Sequence, residues 1–218
     1  ICIFPWGVDL AHFTPASARI RGAVWRERHG WGDKRVLLCL RSWEPNYGVD
    51  VLLHAFVEAA QKDDSLRLIL LGDGSQHDLL LSILQEAQVS DKIFLGGRVP
   101  NQDLITYYGA ADLYVTPSHV DGSSVSLMEA MACGLPSIAT DIPANAEWVA
   151  EGQSGWLFPD GDHHSLAELL LKISSFDLPA AGARARKVAE KRADWQRNKQ
   201  LLFLCWEQAL TSSKGGSQ

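Results

Sequence analysis

Short runs of consecutive apolar residues alternate along the chain with longer stretches in which apolar residues recur every three or four positions. Val36–Leu40, Leu66–Leu71, Ile93–Leu95, Leu113–Val115 and Ser137–Thr140 are of the first kind, and Trp156–Phe158 is a short sixth. Runs this brief that carry no polar face predict strands buried on both sides. Val49 to Ala60 sets Leu52, Leu53, Phe56 and Val57 on one side and predicts a helix. Further helices are expected over Asp78–Gln88, Pro100–Ala111, the segment after Ser124, Leu166–Ile173, and the region from Ala180 to Leu210. Gly134 reads as the cap that ends the helix after Ser124, with Pro136 beyond it. Strand and helix in alternation predict an α/β fold, a doubly wound, Rossmann-like parallel sheet. Ligands of such sheets sit beyond the carboxyl ends of the strands. The loops to inspect are therefore 41–48, 72–76, 96–100, 117–124 and 140–147.

Composition narrows the partners. The 218 residues are 46% hydrophobic and 21% charged, ordinary for a globular chain. A net charge of −6 gives a nucleic-acid partner no electrostatic support. No apolar run approaches the length of a membrane span. Cys2, Cys39, Cys133 and Cys205 are far apart, which favours reduced thiols and a cytoplasmic setting. The chain opens at Ile1 within a strand-like run, without an initiator Met, and reads as a piece of a longer protein. The tail Thr211–Gln218 is expected to be disordered.

The chemistry concentrates between Asp121 and Glu129. A Gly/Ser-rich loop, Gly122-Ser123-Ser124, runs straight into an apolar helix with one carboxylate on each side of the junction. Free backbone amides at such a junction suit an anion. Carboxylates accept hydrogen bonds from hydroxyls. Together they fit a ligand that is part phosphate and part sugar.

This element, continued by E-A-M-A-C-G-L-P at Glu129–Pro136, resembles the E-x7-E signature of family 4 glycosyltransferases of the GT-B fold. Pro5–Asp9 through Phe13–Pro15, Leu71–Gly74, Phe94–Gly96, Ala111–Asp112 with Pro117–Ser118, and Gly155–Phe158 with Gly161–Asp162 follow in that family's order. The resemblance covers nearly the whole chain and implies the C-terminal, donor-binding half of such an enzyme. It implies a lead-in segment over 1–15, a nucleotide-sugar-binding domain over 16–193, and a C-terminal helix with a disordered tail over 194–218. An acceptor-binding N-terminal domain would be the missing partner, and the fragment alone would not turn over. Membrane association of the full enzyme would belong to that missing half.

The resemblance implies roles residue by residue. Glu129 would bind the ribose hydroxyls; as the fourth residue of Ser126–Glu129 it also matches a capping box. Asp121 stands where the family has its first glutamate, near the donor sugar or reacting centre; an Asx turn is the plainer reading. Gly122, Ser123, Ser124 and Val125 would bring amides to the diphosphate. Arg41 would neutralise it, and a surface ion pair with Glu44 is the alternative. The family's lysine six positions on is Tyr47 here, followed by Gly48, so Arg98 is the candidate to supply the missing charge. Val99 would press main-chain atoms on the base, with Gly74 nearby. Glu147 would face the sugar, or serve only as a first-turn helix acid.

Three signals are discounted. Asp160-Gly161-Asp162-His163-His164 could suggest a metal, but Asp162 is expected to cap a helix, and no metal or cofactor is expected. Gly72-Asp73-Gly74 is followed by His77, so a dinucleotide fingerprint is absent. Leu202, Phe203, Trp206 and Leu210 follow helical spacing, and in relatives the last helix returns to the other domain. The implied function is donor binding in a retaining glycosyltransferase that uses a UDP- or GDP-sugar. A GT-B epimerase, an inactive nucleotide-binding relative and an NAD-dependent oxidoreductase are the alternatives.

Overall fold

A computed structural model describes residues 6–214, and of residues 209 and 211–214 the backbone alone. The expected strand at Ile1 lies outside the described residues. Six parallel strands form one sheet in the order β3-β2-β1-β4-β5-β6. They are β1 (Arg35–Leu40), β2 (Leu66–Leu71), β3 (Ile93–Gly97), β4 (Leu113–Thr116), β5 (Ser137–Thr140) and β6 (Gly155–Phe158). The sequence-based strands agree with these to within two residues at either end. Alternate residues of β1 serve opposite faces: Val36 and Leu38 join one buried cluster, Leu37 and Cys39 the other. This is the reason the run carries no polar position.

One face is covered by α1 (Pro15–Arg28), α4 (Asn101–Ala110), α5 (Val125–Ala132) and α8 (Leu178–Arg192), through Trp25, Tyr108, Leu127 and Ala185. The other carries α2 (Val49–Lys62), α3 (His77–Ala87) and α7 (His163–Leu171), through Phe56, Leu80 and Leu166. A one-turn helix α6 (Pro143–Ala146) and a long terminal helix α9 (Trp195–Lys214) complete the described elements. The winding reverses between β1 and β4. Chain order runs outward through β2 and β3 on one side and through β5 and β6 on the other.

The structure departs from the sequence expectations in several places. Residues 15–28 form α1, where no helix was expected. Its buried positions are Ala18, Gly22 and Trp25, so the apolar stripe is too small to register as a period. The single helix expected from Ala180 to Leu210 is two, broken at Ala193–Asp194. There Val8 bridges Asp194 and donates its amide to Ala193 O at 2.8 Å, which ties the lead-in segment to the break. Finally, α9 continues through Lys214, so residues 211–214 are helical and not disordered; 215–218 lie outside the described residues. Cys39 and Cys133 are buried free thiols, and burial pushes Cys39 up to about 12, so it stays protonated. Cys205, expected to be reduced, is disulfide-bonded. Among the described residues no helix is long and apolar enough to cross a membrane.

The α1–α4 crossing has no room for a side chain. A Cβ on Gly109 would run into the carbonyl oxygen of Ala18, and one on Gly22 into the carbonyl of Gly109. Helix propensity alone favours Gly109→Ala by about 1 kcal/mol. Overpacking against backbone reverses the sign, and a net loss of about 1–3 kcal/mol is expected in urea unfolding. A stabilised variant would show that the helices slide apart freely.

Candidate functional site

Arg41 follows the last residue of β1, at the point where the strand order reverses. Its side chain is only 9% exposed. Nη2 donates to Asp121 Oδ2 at 2.5 Å, Ser124 Oγ at 2.6 Å and Thr116 Oγ1 at 2.7 Å, and Nε donates to Thr116 Oγ1 at 3.0 Å. One guanidinium thus fastens the end of β4 and both ends of the Asp121–Ser124 loop to the end of β1. Burial works against its charge, but Tyr114, Asp121 and Cys39 hold its pKa above the ordinary arginine value. Nη1 has no hydrogen-bond partner among the described residues. The alternative pairing with Glu44 does not occur: Glu44 accepts from the backbone and hydroxyl of Ser75.

Beyond the carboxyl ends of β1, β2 and β3 lies a hollow of about 530 Å³ whose walls include Arg41, Ser42, Tyr47, Arg98 and Val99. The Arg41 guanidinium carbon sits 5.3 Å from the centre of the Tyr47 ring. Arg98 is 77% exposed, and its Nε lies 3.8 Å from Asp73. Two cations therefore flank the hollow, one buried and held by four hydrogen bonds, the other exposed beside Asp73.

On the far side of the loop, Glu129 is 5% exposed. Its Oε1 accepts from Asn101 Nδ2 at 3.1 Å, and its Oε2 accepts from Tyr108 OH at 2.8 Å. Both donors come from α4. Burial raises its pKa, against the lowering effect of these two hydrogen bonds and of His12. The capping-box alternative is overturned. Ser124, not Ser126, caps α5, accepting from Leu127 N at 3.4 Å, and the Glu129 carboxylate accepts from Asn101 and Tyr108. Glu129 lines a second hollow of about 240 Å³ together with Val125, Asn101, Phe13 and Trp6. Between the hollows, the amides of Ser123, Ser124, Val125 and Ser126 meet no acceptor among the described residues. Gly122 borders open space. Asp121 Oδ1 accepts from Gly122 N at 2.8 Å, a local contact beside its ion pair with Arg41.

Two expected residues stand apart from these hollows. Gly74 packs against the backbone of Trp43, where a Cβ would not fit, so its part is to shape the turn after β2. Glu147 ends α6 and pairs with Arg192 at 2.5 Å. Asp162 caps α7 as expected, accepting from Ser165 N at 3.0 Å. The residues that sequence reasoning missed are Thr116, Asn101 and Tyr108. Each acts through a tertiary contact, and none carries a local signal of that contact.

Residues 23–200 match the sequence model of the family described as glycosyl transferases group 1. A GDP-mannose-dependent alpha-(1-6)-phosphatidylinositol monomannoside mannosyltransferase of Mycolicibacterium smegmatis is 30% identical over 159 residues, 69% of this chain and 41% of that protein. A D-inositol 3-phosphate glycosyltransferase of the same organism is 28% identical over 210 residues, 94% of this chain and 46% of that protein. The chain thus spans about half the length of these relatives. HepE of Anabaena, solved with UDP and glucose, superposes with a TM-score of 0.81 at 21% identity, covering 92% of this chain and 55% of that one. Sucrose-phosphate synthase of Thermosynechococcus elongatus gives 0.83 at 23% identity, covering 96% and 52%. The fold is that of the C-terminal domain of GT-B glycosyltransferases, and the chain belongs to the group 1 glycosyltransferases.

Proposed function

We propose that this chain holds the nucleotide-sugar donor of a retaining glycosyltransferase whose acceptor is bound by a second, N-terminal domain. The observation that carries this reading is the row formed by the Arg41 hollow, the unpaired amides of the Gly/Ser loop and the Glu129 hollow. The chemistry of that row matches a nucleoside diphosphate with a sugar attached. The leaving diphosphate gains negative charge in the transition state, so charges and dipoles fixed in advance around it lower the barrier. Arg41 Nη1, Arg98 and the amides from Ser123 to Ser126 are the donors for it. Glu129 already accepts one hydrogen bond on each oxygen, and each oxygen keeps a lone pair for a ribose hydroxyl. Val99 is assigned to the base through its main chain.

Asp121 is assigned first to holding Arg41 in place and, from there, to the edge of the transferred sugar. Glu147 and Gly74 are given no direct donor contact, because neither lines either hollow. Both UDP and GDP suit the site, since relatives include GDP-mannose-dependent enzymes and the superposing HepE was solved with UDP. The proposal places the chemistry on the donor itself, without a cofactor. Tyr47 favours one second reading, a nucleotide-binding relative with weakened catalysis, because a phenol supplies no positive charge where the family carries lysine.

Calorimetric titration with UDP, GDP, ADP and NAD tests the assignment. A nucleoside diphosphate is expected to bind, and binding of NAD alone would sink the proposal. Glu129→Ala is expected to weaken nucleotide binding by about 1–3 kcal/mol, the usual scale for hydrogen bonds to a charged group. Glu129→Gln separates binding from folding. A carboxylate whose folded pKa is raised binds a proton more readily folded than unfolded, so its charge lowers stability as pH rises through that window. Glu129→Gln should therefore raise Tm at neutral pH, with a gain that shrinks on acidification, while affinity falls. A pH-independent loss of Tm would contradict the buried-charge account. Tyr47→Lys should tighten diphosphate binding by about tenfold, roughly 1.4 kcal/mol, within the range for a charge-assisted hydrogen bond. Unchanged affinity would mean that Arg98 already meets the charge requirement.

A further inference from the structure

Away from the donor site, four metal-ligating side chains meet where α2 packs beside α7. The helices are fixed there by the buried side chains of Leu52, Phe56, Leu166 and Ala167. His54 and Glu58 stand four residues apart on α2, hence on one face of it. His163 and His164 open α7. Ligand atoms of Glu58, His163 and His164 all lie within 4.8 Å of one another. His164 Nδ1 and Glu58 Oε2 are 2.8 Å apart, and the rings of His163 and His164 are 4.1 Å apart between centroids. His54 extends the group, with its ring 5.7 Å from that of His163. Asp162 is not among the ligand atoms that lie together there; its carboxylate caps α7 by accepting from the amide and hydroxyl of Ser165.

We propose that Glu58, His163 and His164, with His54 as the fourth group, bind a first-row divalent transition ion of the zinc or cobalt type. Two or three imidazoles with one carboxylate are a nitrogen-rich donor set that suits such ions, whereas magnesium and calcium prefer oxygen. Ligand atoms around a tetrahedral ion lie roughly 3.3 Å apart for bonds of about 2.0 Å. His164 is 75% exposed and has room to turn inward by the difference. The ion would take the place of the Nδ1···Oε2 contact between His164 and Glu58, and because imidazole ligates in its deprotonated form, binding weakens at acid pH. Two features oppose any cation here: Lys62 Nζ, 2.9 Å from Glu58 Oε1, and the positive end of α7. They disfavour ions held by charge alone and leave those that bond imidazole nitrogen. Because the ligands come from two helices, the ion would staple the helix after β1 to the helix after β6 and stabilise the folded state.

The test is titration of the tag-free chain with Co²⁺, followed by visible absorption, and with Zn²⁺, followed by calorimetry and Tm. One ion per chain, a tetrahedral cobalt spectrum and a raised Tm are expected. The double variant His163→Ala/His164→Ala and the separate variant Glu58→Gln should each weaken binding, the former by more than about a hundredfold. His77→Ala, on a different helix, should leave it unchanged. Circular dichroism of each variant shows that the fold survives. Absence of binding at millimolar ion, or stoichiometric binding that persists in the folded double variant, would overturn the site.

Discussion

A single buried cation organises the functional end of this sheet. Arg41 stands where the strand order reverses, and its guanidinium joins Thr116 at the end of β4 to Asp121 and Ser124 at the two ends of the Gly/Ser loop. A parallel sheet opens a crevice at this reversal, because the chains on either side wind away from each other. The first half of the loop after β4 is tied elsewhere, His119 N donating to Asn46 O at 3.0 Å and its ring meeting Asp160, while Arg41 ties the Asp121–Ser124 half. Removing one partner of a buried ion pair leaves the other charge uncompensated, commonly at about 3–5 kcal/mol. The same residue thus sets the loop's shape and, through its remaining Nη1, offers charge to a ligand.

Glu129 carries the second constraint. Burial raises its pKa, and the hydrogen bonds from Tyr108 and Asn101, with the nearby His12, offset part of that penalty. A carboxylate kept in such a place lowers stability in exchange for a preset acceptor. The two hollows, one rich in cations and the other holding a carboxylate, are therefore chemically unlike and lie on opposite sides of one short run of free amides. On the proposed reading, that asymmetry would orient the donor.

The sheet was legible from the sequence because strands buried on both faces leave no polar interruption; Leu66–Leu71 is read directly from its letters. The junction at Asp121–Glu129 was legible because its composition and its resemblance to a known family point the same way. Helix α1 was not, since Ala18 and Gly22 bury by being small and make no apolar stripe. The break at Ala193–Asp194 lacks glycine or proline and exists because Val8 pairs there. The partners of Arg41 and Glu129 were also hidden. Asp121 lies 80 residues beyond Arg41 and Tyr108 lies 21 residues before Glu129, and only packing brings each pair together. Local pattern therefore locates the site, and tertiary contact decides what each residue is free to do.

A double-mutant cycle on Arg41→Lys and Asp121→Asn, read as affinity for the nucleoside diphosphate that the wild-type chain binds, tests this most directly. Each single change is expected to weaken binding, and the double variant should be little worse than the weaker single. That corresponds to a coupling of about 0.5–3 kcal/mol, as for residues in one hydrogen-bond network. Strictly additive losses, or an affinity untouched by either change, would contradict the claim that this ion pair sets the donor site.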